Sequence, residues 1–235
     1  MLDTVSYEGI NPDRADHRSM LPFEPSVANP DRYKSSQERR FHKHGSQYKV
    51  VSLIGFGKTV LDVGCATGYV DAILRSHDCF VVGIESDFDA ATLASKRCDQ
   101  VLNLDVEAVD SLPLPPEHFD VIVCADVLEH FRRPDRVLLM LKRYLKREGC
   151  LITVIPNIGY LPARLKILAG RFDYEDIGHF DRTHLRFFTL RTAKELVTSC
   201  GFRLVEVDYV GPASILPVFP TWTAMRILTV ARPQQ

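Results

Sequence analysis

Apolar residues are not spread evenly along the chain, and short unbroken apolar runs alternate with longer amphipathic ones. Val60, Leu61 and Val63, then residues 79–84, 101–104, 119–125 and 150–155, are short and nearly continuous, as strands buried on both faces read. The stretches between them space their apolar residues on one helical face: residues 69–74, 88–98, and a third from Pro134 through Val137, Leu138, Leu141 and Leu145, with Gly149 as its stop. Strict alternation of strand and helix requires parallel pairing with helical crossovers, so the pattern predicts an α/β fold. The alternation lapses from Pro156 to Phe188. It resumes as a helix from Thr189, a suitable N-cap, to Cys200, with Gly201 as the stop. Two more strand-like runs, 202–210 and 222–231, end the pattern. Upstream, residues 35–54 carry Phe41, Tyr48, Val51 and Leu53 among Arg39, Arg40, Lys43 and Lys49, which predicts an amphipathic helix that packs on the sheet and helps to close a ligand site. Residues 1–34 hold Gly9, Pro12, Pro22, Pro25 and Pro30 without periodicity and read as an irregular arm. The expected organisation is that arm, then one domain over 35–235 with an insertion at about 157–188. Inserted segments at the carboxyl edge of a parallel sheet usually cover the site.

The most informative stretch is residues 59–69, Thr-Val-Leu-Asp-Val-Gly-Cys-Ala-Thr-Gly-Tyr. A buried strand runs into Gly64, Cys65, Ala66, Thr67 and Gly68, the small residues needed where a chain turns tightly into a helix beside a ligand. A dinucleotide fingerprint would need a third glycine to bring the backbone against a pyrophosphate, and that position is Tyr69. Asp62 at the strand end repels phosphate and suits a ligand carrying an ammonium and a sulfonium. Glu85 closes the second strand 23 residues later, the distance that sets an acid beside a ribose, where a carboxylate can accept from both hydroxyls.

With this pattern the chain resembles the class I S-adenosylmethionine-dependent methyltransferases, whose first motif runs Asp/Glu-x-Gly-x-Gly-x-Gly. The resemblance covers roughly residues 40–232. It implies a seven-stranded Rossmann-like sheet with helices on both faces, mostly parallel with the last strand antiparallel in an edge hairpin. The implied cofactor is S-adenosylmethionine, held by Asp62, Gly64, Cys65, Ala66, Thr67, Gly68, Glu85, Asp105, Val106 and Ala125, with Asp105 and the Val106 N–H at the adenine. Ala66 replaces the middle glycine, which a backbone at negative φ would tolerate. The insertion, with Asn157 and Gly170-Arg-Phe-Asp-Tyr174, resembles more loosely a subgroup near carbohydrate and glycolipid biosynthesis and the ubiquinone-pathway O-methyltransferases.

Composition narrows the partners. Lys plus Arg total 29 against 30 for Asp plus Glu, so a net charge of −1 offers no global field for nucleic acid or an anionic membrane, and a small-molecule acceptor fits better. The six cysteines form no Cys-x-x-Cys pair and read as reduced thiols of a cytoplasmic protein, with Cys65 set apart by its place in the ligand turn. The N-terminal residues show neither a signal peptide nor a spanning run.

Two places can carry the chemistry. His130, just past the fourth strand in Asp126-Val-Leu-Glu-His-Phe131, has an imidazole suited to act as general base, or is a helix-start residue bonded to backbone. In the insertion, Gly178-His-Phe-Asp-Arg-Thr-His184 offers either a partial metal site or, the reading adopted with no metal assigned, an acceptor pocket. There His184 is a second catalytic candidate, and His179, Asp181, Arg186 and Tyr174 bind substrate. Residues 160–169 alternate apolar and basic side chains, as a lid helix or as a weak contact with a membrane or a lipid-linked acceptor. The predicted activity is O-methylation of a small-molecule hydroxyl on a sugar, glycolipid or quinone-like phenol. The alternatives are a catalytically silent protein of the same fold that binds another enzyme, and a nicotinamide-dependent oxidoreductase, which Asp62 and the missing glycine disfavour.

Overall fold

The computed structural model describes residues 45–212 and 219–234, so the expected arm over 1–34 and residues 35–44 of the expected first helix lie outside the described residues. Seven strands, β1 (Thr59–Val63), β2 (Phe80–Glu85), β3 (Gln100–Asn103), β4 (Phe119–Ala125), β5 (Leu145–Pro156), β6 (Phe202–Val210) and β7 (Arg226–Pro233), make one sheet in the order β3-β2-β1-β4-β5-β7-β6. The first five are parallel neighbours. β7 runs antiparallel between β5 and β6, so β6 rather than β7 forms that edge. α1 (Ser46–Ile54) leads into β1, and the crossover helices are α2 (Tyr69–Ser76), α3 (Phe88–Ala94) and α4 (Pro134–Leu141); α5 (Leu161–Leu168), α6 (Leu190–Ser199) and the single turn α7 (Pro220–Thr223) follow.

The sheet is buried on both faces because alternate residues of its central strands are apolar in both directions. Val60, Val81, Val121, Val123, Ile152 and Val154 pack with Val50, Val51 and Ile54 of α1 and Leu74 of α2. Leu61, Val63, Ile84, Ile122, Cys124 and Leu151 face the other way, onto Val137, Leu138 and Leu141 of α4 and Ala193 and Val197 of α6. Full burial of side chains of this size is worth roughly 1.5–3 kcal/mol each, which makes β1, β4 and β5 a rigid platform for whatever stands at their carboxyl ends.

Three boundaries differ from the sequence reading. Gly149 does not stop a helix: α4 ends at Leu141, a 3-10 turn spans Lys142–Tyr144, and β5 begins at Leu145, with a register shift against β4 between Phe119 and Val121. The last strand starts at Arg226 rather than Trp222, because Pro220 at the first helical position favours a turn over 220–223. The second helix of the crossovers closes at Ala94 instead of Cys98.

Candidate active site

A cavity of about 550 Å³ opens at the carboxyl ends of β1, β2 and β4, under residues 177–184 of the insertion. Its floor is the turn after β1. Gly64 and Gly68 take φ of 77° and 72°, and Ala66 does too, at 50°, contrary to the negative φ expected of it. The cost of a left-handed alanine is met by Glu85, whose Oε2 accepts from Ala66 N at 3.0 Å and whose Oε1 accepts from Asp87 N at 2.8 Å. Two backbone bonds leave the Glu85 carboxylate further lone pairs toward the cavity.

Asp62, Gly64, Cys65, Ala66, Glu85, Asp105, Val106 and Ala125 all line this cavity. Thr67 and Gly68 do not. Thr67 is buried and bonded through its carbonyl and hydroxyl oxygens to Arg97 Nη1, while a side chain at Gly68 would meet the Ala94 backbone at 3.1 Å, so Gly68 permits close approach of α3. From α1, Ser46, Gln47 and Val50 join the lining, and Gln47 Oε1 is buried without a hydrogen-bond partner. Asp62 is buried, and burial followed by the neighbouring Asp71 carboxyl raises its pKa well above the usual range. Asp71 is itself fully buried with both oxygens unpartnered.

The opposite wall is built by the segment after β4. Asp126 takes a φ of 52° and accepts from Arg226 Nε at 2.7 Å, which turns the chain into a 3-10 turn over Leu128–His130. The insertion docks there through backbone: Leu185 N and Arg186 N both donate to the Glu129 carbonyl, at 2.9 and 3.0 Å. This seat brings His184 beside His130, with ring centroids 4.9 Å apart. His130 Nδ1 lies 3.1 Å from the Thr183 carbonyl, so Nδ1 carries the proton and Nε2 keeps its lone pair. Burial, then His130, lowers the His184 pKa to about 4, leaving it neutral near pH 7.

Between the two imidazoles sits Glu129, which sequence reading passed over. It is 1% exposed, neither carboxyl oxygen has a hydrogen-bond partner, and Oε1 lies 3.8 Å from His184 Nε2 and 4.0 Å from His130 Nε2. Burial first, then Asp126, pushes its pKa well above the ordinary carboxylate range, with Arg226 pulling the other way. The sequence Leu-Glu-His carries no local signal for its burial, and residues 185 and 186 of the later segment bond to its carbonyl.

Of the four residues assigned to substrate, Asp181 lines the cavity, and its Oδ1 accepts from the Thr183 N–H and hydroxyl at 2.9 and 2.6 Å. The other three do not line it. His179 points its Nε2 at the Met225 carbonyl at 3.1 Å and stacks on Tyr160, and burial lowers its pKa. Arg186 donates to the Arg132 carbonyl at 2.5 Å and ties the insertion to the post-β4 loop. Tyr174 is 62% exposed and meets Phe172 edge-on. No helix among the described residues is long and apolar enough to cross a membrane.

The comparisons with known proteins agree with this architecture. Residues 36–207 match the family described as "Methyltransferase domain". A ubiquinone biosynthesis O-methyltransferase of Coxiella burnetii is 23% identical over 154 residues, 64% of this chain and 66% of that protein, so the chain matches just under two thirds of that relative's length. Among solved structures, a SAM-dependent methyltransferase from Aquifex aeolicus superposes with a TM-score of 0.61 at 18% identity, covering 86% of this chain and 97% of that one. A SAM-dependent methyltransferase from Thermotoga maritima gives a TM-score of 0.62 at 21% identity, covering 87% and 98%. The two structures speak to the fold, which is that of the class I methyltransferases, and the family match, which spans most of the sequence, speaks to descent: the chain belongs to the methyltransferase domain family.

Proposed function

We propose that this enzyme methylates a hydroxyl group of a small molecule held between the turn after β1 and the insertion. The observation that carries the reading is the Glu129–His130–His184 cluster, three proton-accepting or ligating groups in the cavity wall across from the cofactor turn. Transfer to an amine that is neutral at pH 7 would not require such a cluster, whereas a hydroxyl must lose a proton as its oxygen becomes the nucleophile.

The residues present fit the cofactor. Asp62 and the unpartnered Gln47 Oε1 offer acceptors to an ammonium, the spare lone pairs of Glu85 suit a vicinal diol, and Asp105 with Val106 stands where an adenine edge could be read. When bound, S-adenosylmethionine supplies an electrophilic methyl group on a sulfonium. The chain's own contribution is orientation, water exclusion by residues 177–184, and deprotonation of the acceptor at the cluster, where His130 Nε2 has its lone pair free. Likeness to the Coxiella burnetii ubiquinone biosynthesis O-methyltransferase favours a phenolic hydroxyl over a sugar hydroxyl.

The test is transfer of labelled methyl from S-adenosylmethionine to a panel of catechols, simple phenols, sugars and amines, read by mass. Methylation of phenols that His184→Ala abolishes while cofactor affinity is kept supports the proposal. Exclusive methylation of amines, or cofactor binding without transfer to any acceptor, refutes it; the second result would favour the silent binding protein.

A further inference from the structure

The cofactor turn touches a cluster that methyl transfer does not use. Cys65 in the turn, Asp71 on α2 and Cys98 between α3 and β3 are all buried, and the two sulfurs and a carboxylate oxygen lie within 4.8 Å of one another. The sulfurs meet over Gly83 of β2, which pairs with Asp62 of β1 on one side and Val101 of β3 on the other. A Cβ at Gly83 would stand 2.6 Å from Cys65 Sγ and 3.2 Å from Cys98 Sγ. Gly83 does not take a left-handed φ, so its backbone would accept an ordinary L residue; the two sulfurs are what exclude a side chain there.

Other thiols of the chain are disposed differently. Cys79 and Cys200 donate to the Gly55 and Asp135 carbonyls at 3.7 and 3.5 Å, and burial pushes the Cys124 thiol up, as in inert structural cysteines. In the pair, the Cys65 thiol is hydrogen-bonded to the Cys98 sulfur, which raises the Cys65 pKa and lowers that of Cys98 from its ordinary value. Burial, then Cys98, holds the Asp71 pKa well above the carboxylate range, so a protonated acid stands beside the same sulfur. A thiol of lowered pKa next to a second thiol is the arrangement of an oxidisable pair, and Cys65 lines the cavity, so a small oxidant that enters there reaches it.

We infer that Cys65 and Cys98 are a redox modification site, joined as a disulfide by hydrogen peroxide, and that the bond disables the cofactor turn. The Cys98 thiolate, its proton lost to solvent, attacks one peroxide oxygen; the S–O bond forms, the O–O bond breaks, and the departing hydroxide takes up a proton to become water. The Cys65 sulfur then attacks the sulfenic sulfur of Cys98, the S–S bond forms, and hydroxide leaves with the Cys65 proton as a second water. Two thiols are oxidised and one peroxide is reduced. A disulfide holds its sulfurs at about 2.05 Å, so these must close by up to about 2.8 Å. The turn has little freedom to follow, since Gly64 N and Cys65 N both donate to the Ile84 carbonyl, at 2.8 and 3.1 Å, and Ala66 N is held by Glu85. Closure therefore strains the left-handed Gly64, Ala66 and Gly68 and the Glu85 bond, on which the cofactor site depends. The inference goes beyond the proposed function and is independent of which acceptor is methylated.

The test uses the full chain, reduced and desalted, then exposed to hydrogen peroxide, with free thiols blocked by iodoacetamide and the digest read by mass. The peptides carrying Cys65 and Cys98 should appear joined, lighter by two hydrogens and separable by dithiothreitol. S-adenosylmethionine affinity, measured by calorimetry, should fall roughly tenfold on oxidation and return on reduction. Cys98→Ser and Cys98→Ala, with folding verified by circular dichroism, should bind the cofactor as the reduced wild type does and lose the response to peroxide. Absence of the cross-link, a cross-link that leaves affinity unchanged, or the same loss of affinity in wild type and both variants overturns the inference.

Discussion

Replacing Gly64 with alanine should be among the most damaging single-methyl changes in the molecule, and its size can be worked from two terms. At φ of 77° an alanine sits in the left-handed region, which costs about 1 kcal/mol relative to glycine. That Ala66 holds φ of 50° two residues away keeps this term at the low end. The added Cβ would also stand 2.6 Å from Val127 Cγ2 and 3.1 Å from Val127 Cβ, roughly 1 Å inside normal carbon contact, and overpacking of this kind costs about 1–3 kcal/mol. The sum, about 2–4 kcal/mol, lowers the melting temperature by roughly 4 to 16 °C in a chain of this size. Thermal unfolding of Gly64→Ala, Val127→Ala and the double variant separates the terms. The double variant should recover the overlap term and keep the backbone term. A melting temperature within 2 °C of wild type for Gly64→Ala, or no recovery in the double variant beyond additivity, refutes the reasoning.

Asp62→Asn should weaken S-adenosylmethionine at least tenfold by calorimetry. Because burial and Asp71 hold the Asp62 pKa high and a cationic ligand draws it down, binding releases a proton, so affinity falls as pH drops below the raised pKa; equal heats in buffers of different ionisation enthalpy would contradict this. Glu129→Gln should raise stability at pH 7. A carboxyl whose folded pKa is raised stabilises the fold below its unfolded pKa and loses that contribution as pH rises, so the gain on substitution should vanish near pH 4 in denaturant titrations. The His184 ring protons should titrate near pH 4 by magnetic resonance, and a midpoint near 6.5 would mean that the imidazole is not buried. Since its folded pKa lies below the unfolded one, His184 makes stability fall as pH drops from about 6.5 toward 4. Asp126→Asn removes the charged partner of the partly buried Arg226 and should cost about 1.5–3 kcal/mol by denaturant unfolding, a loss of under about 0.5 kcal/mol being incompatible with the pair as described.

The sheet and the cofactor turn were legible because their signals are local. Five short apolar runs with helical spacers leave little choice of topology, and Asp62, Gly64 and Glu85 stand at fixed distances along the chain. The acceptor side was legible only in part. His130 and His184 were picked out as chemistry-bearing residues, but Glu129 was not, since nothing in Leu128-Glu129-His130 announces that residues 185 and 186 will cover it. The same long-range packing turned His179 to the Met225 carbonyl and left Tyr174 outside the cavity, although both belong to the insertion. Gly149 misled because an isolated glycine after an amphipathic stretch looks like a helix stop. In the structure it lies within β5, where a Cβ would meet the Phe119 and Lys146 carbonyl oxygens at 2.9 and 3.0 Å.

The insertion is seated on the backbone of the residue whose side chain it encloses, with two N–H groups on the single Glu129 oxygen and His184 adjacent. Lifting it to admit an acceptor would therefore dismantle the trio, carry one imidazole away and let water reach the carboxylate. The cluster therefore exists as a unit only while residues 185 and 186 hold the Glu129 carbonyl.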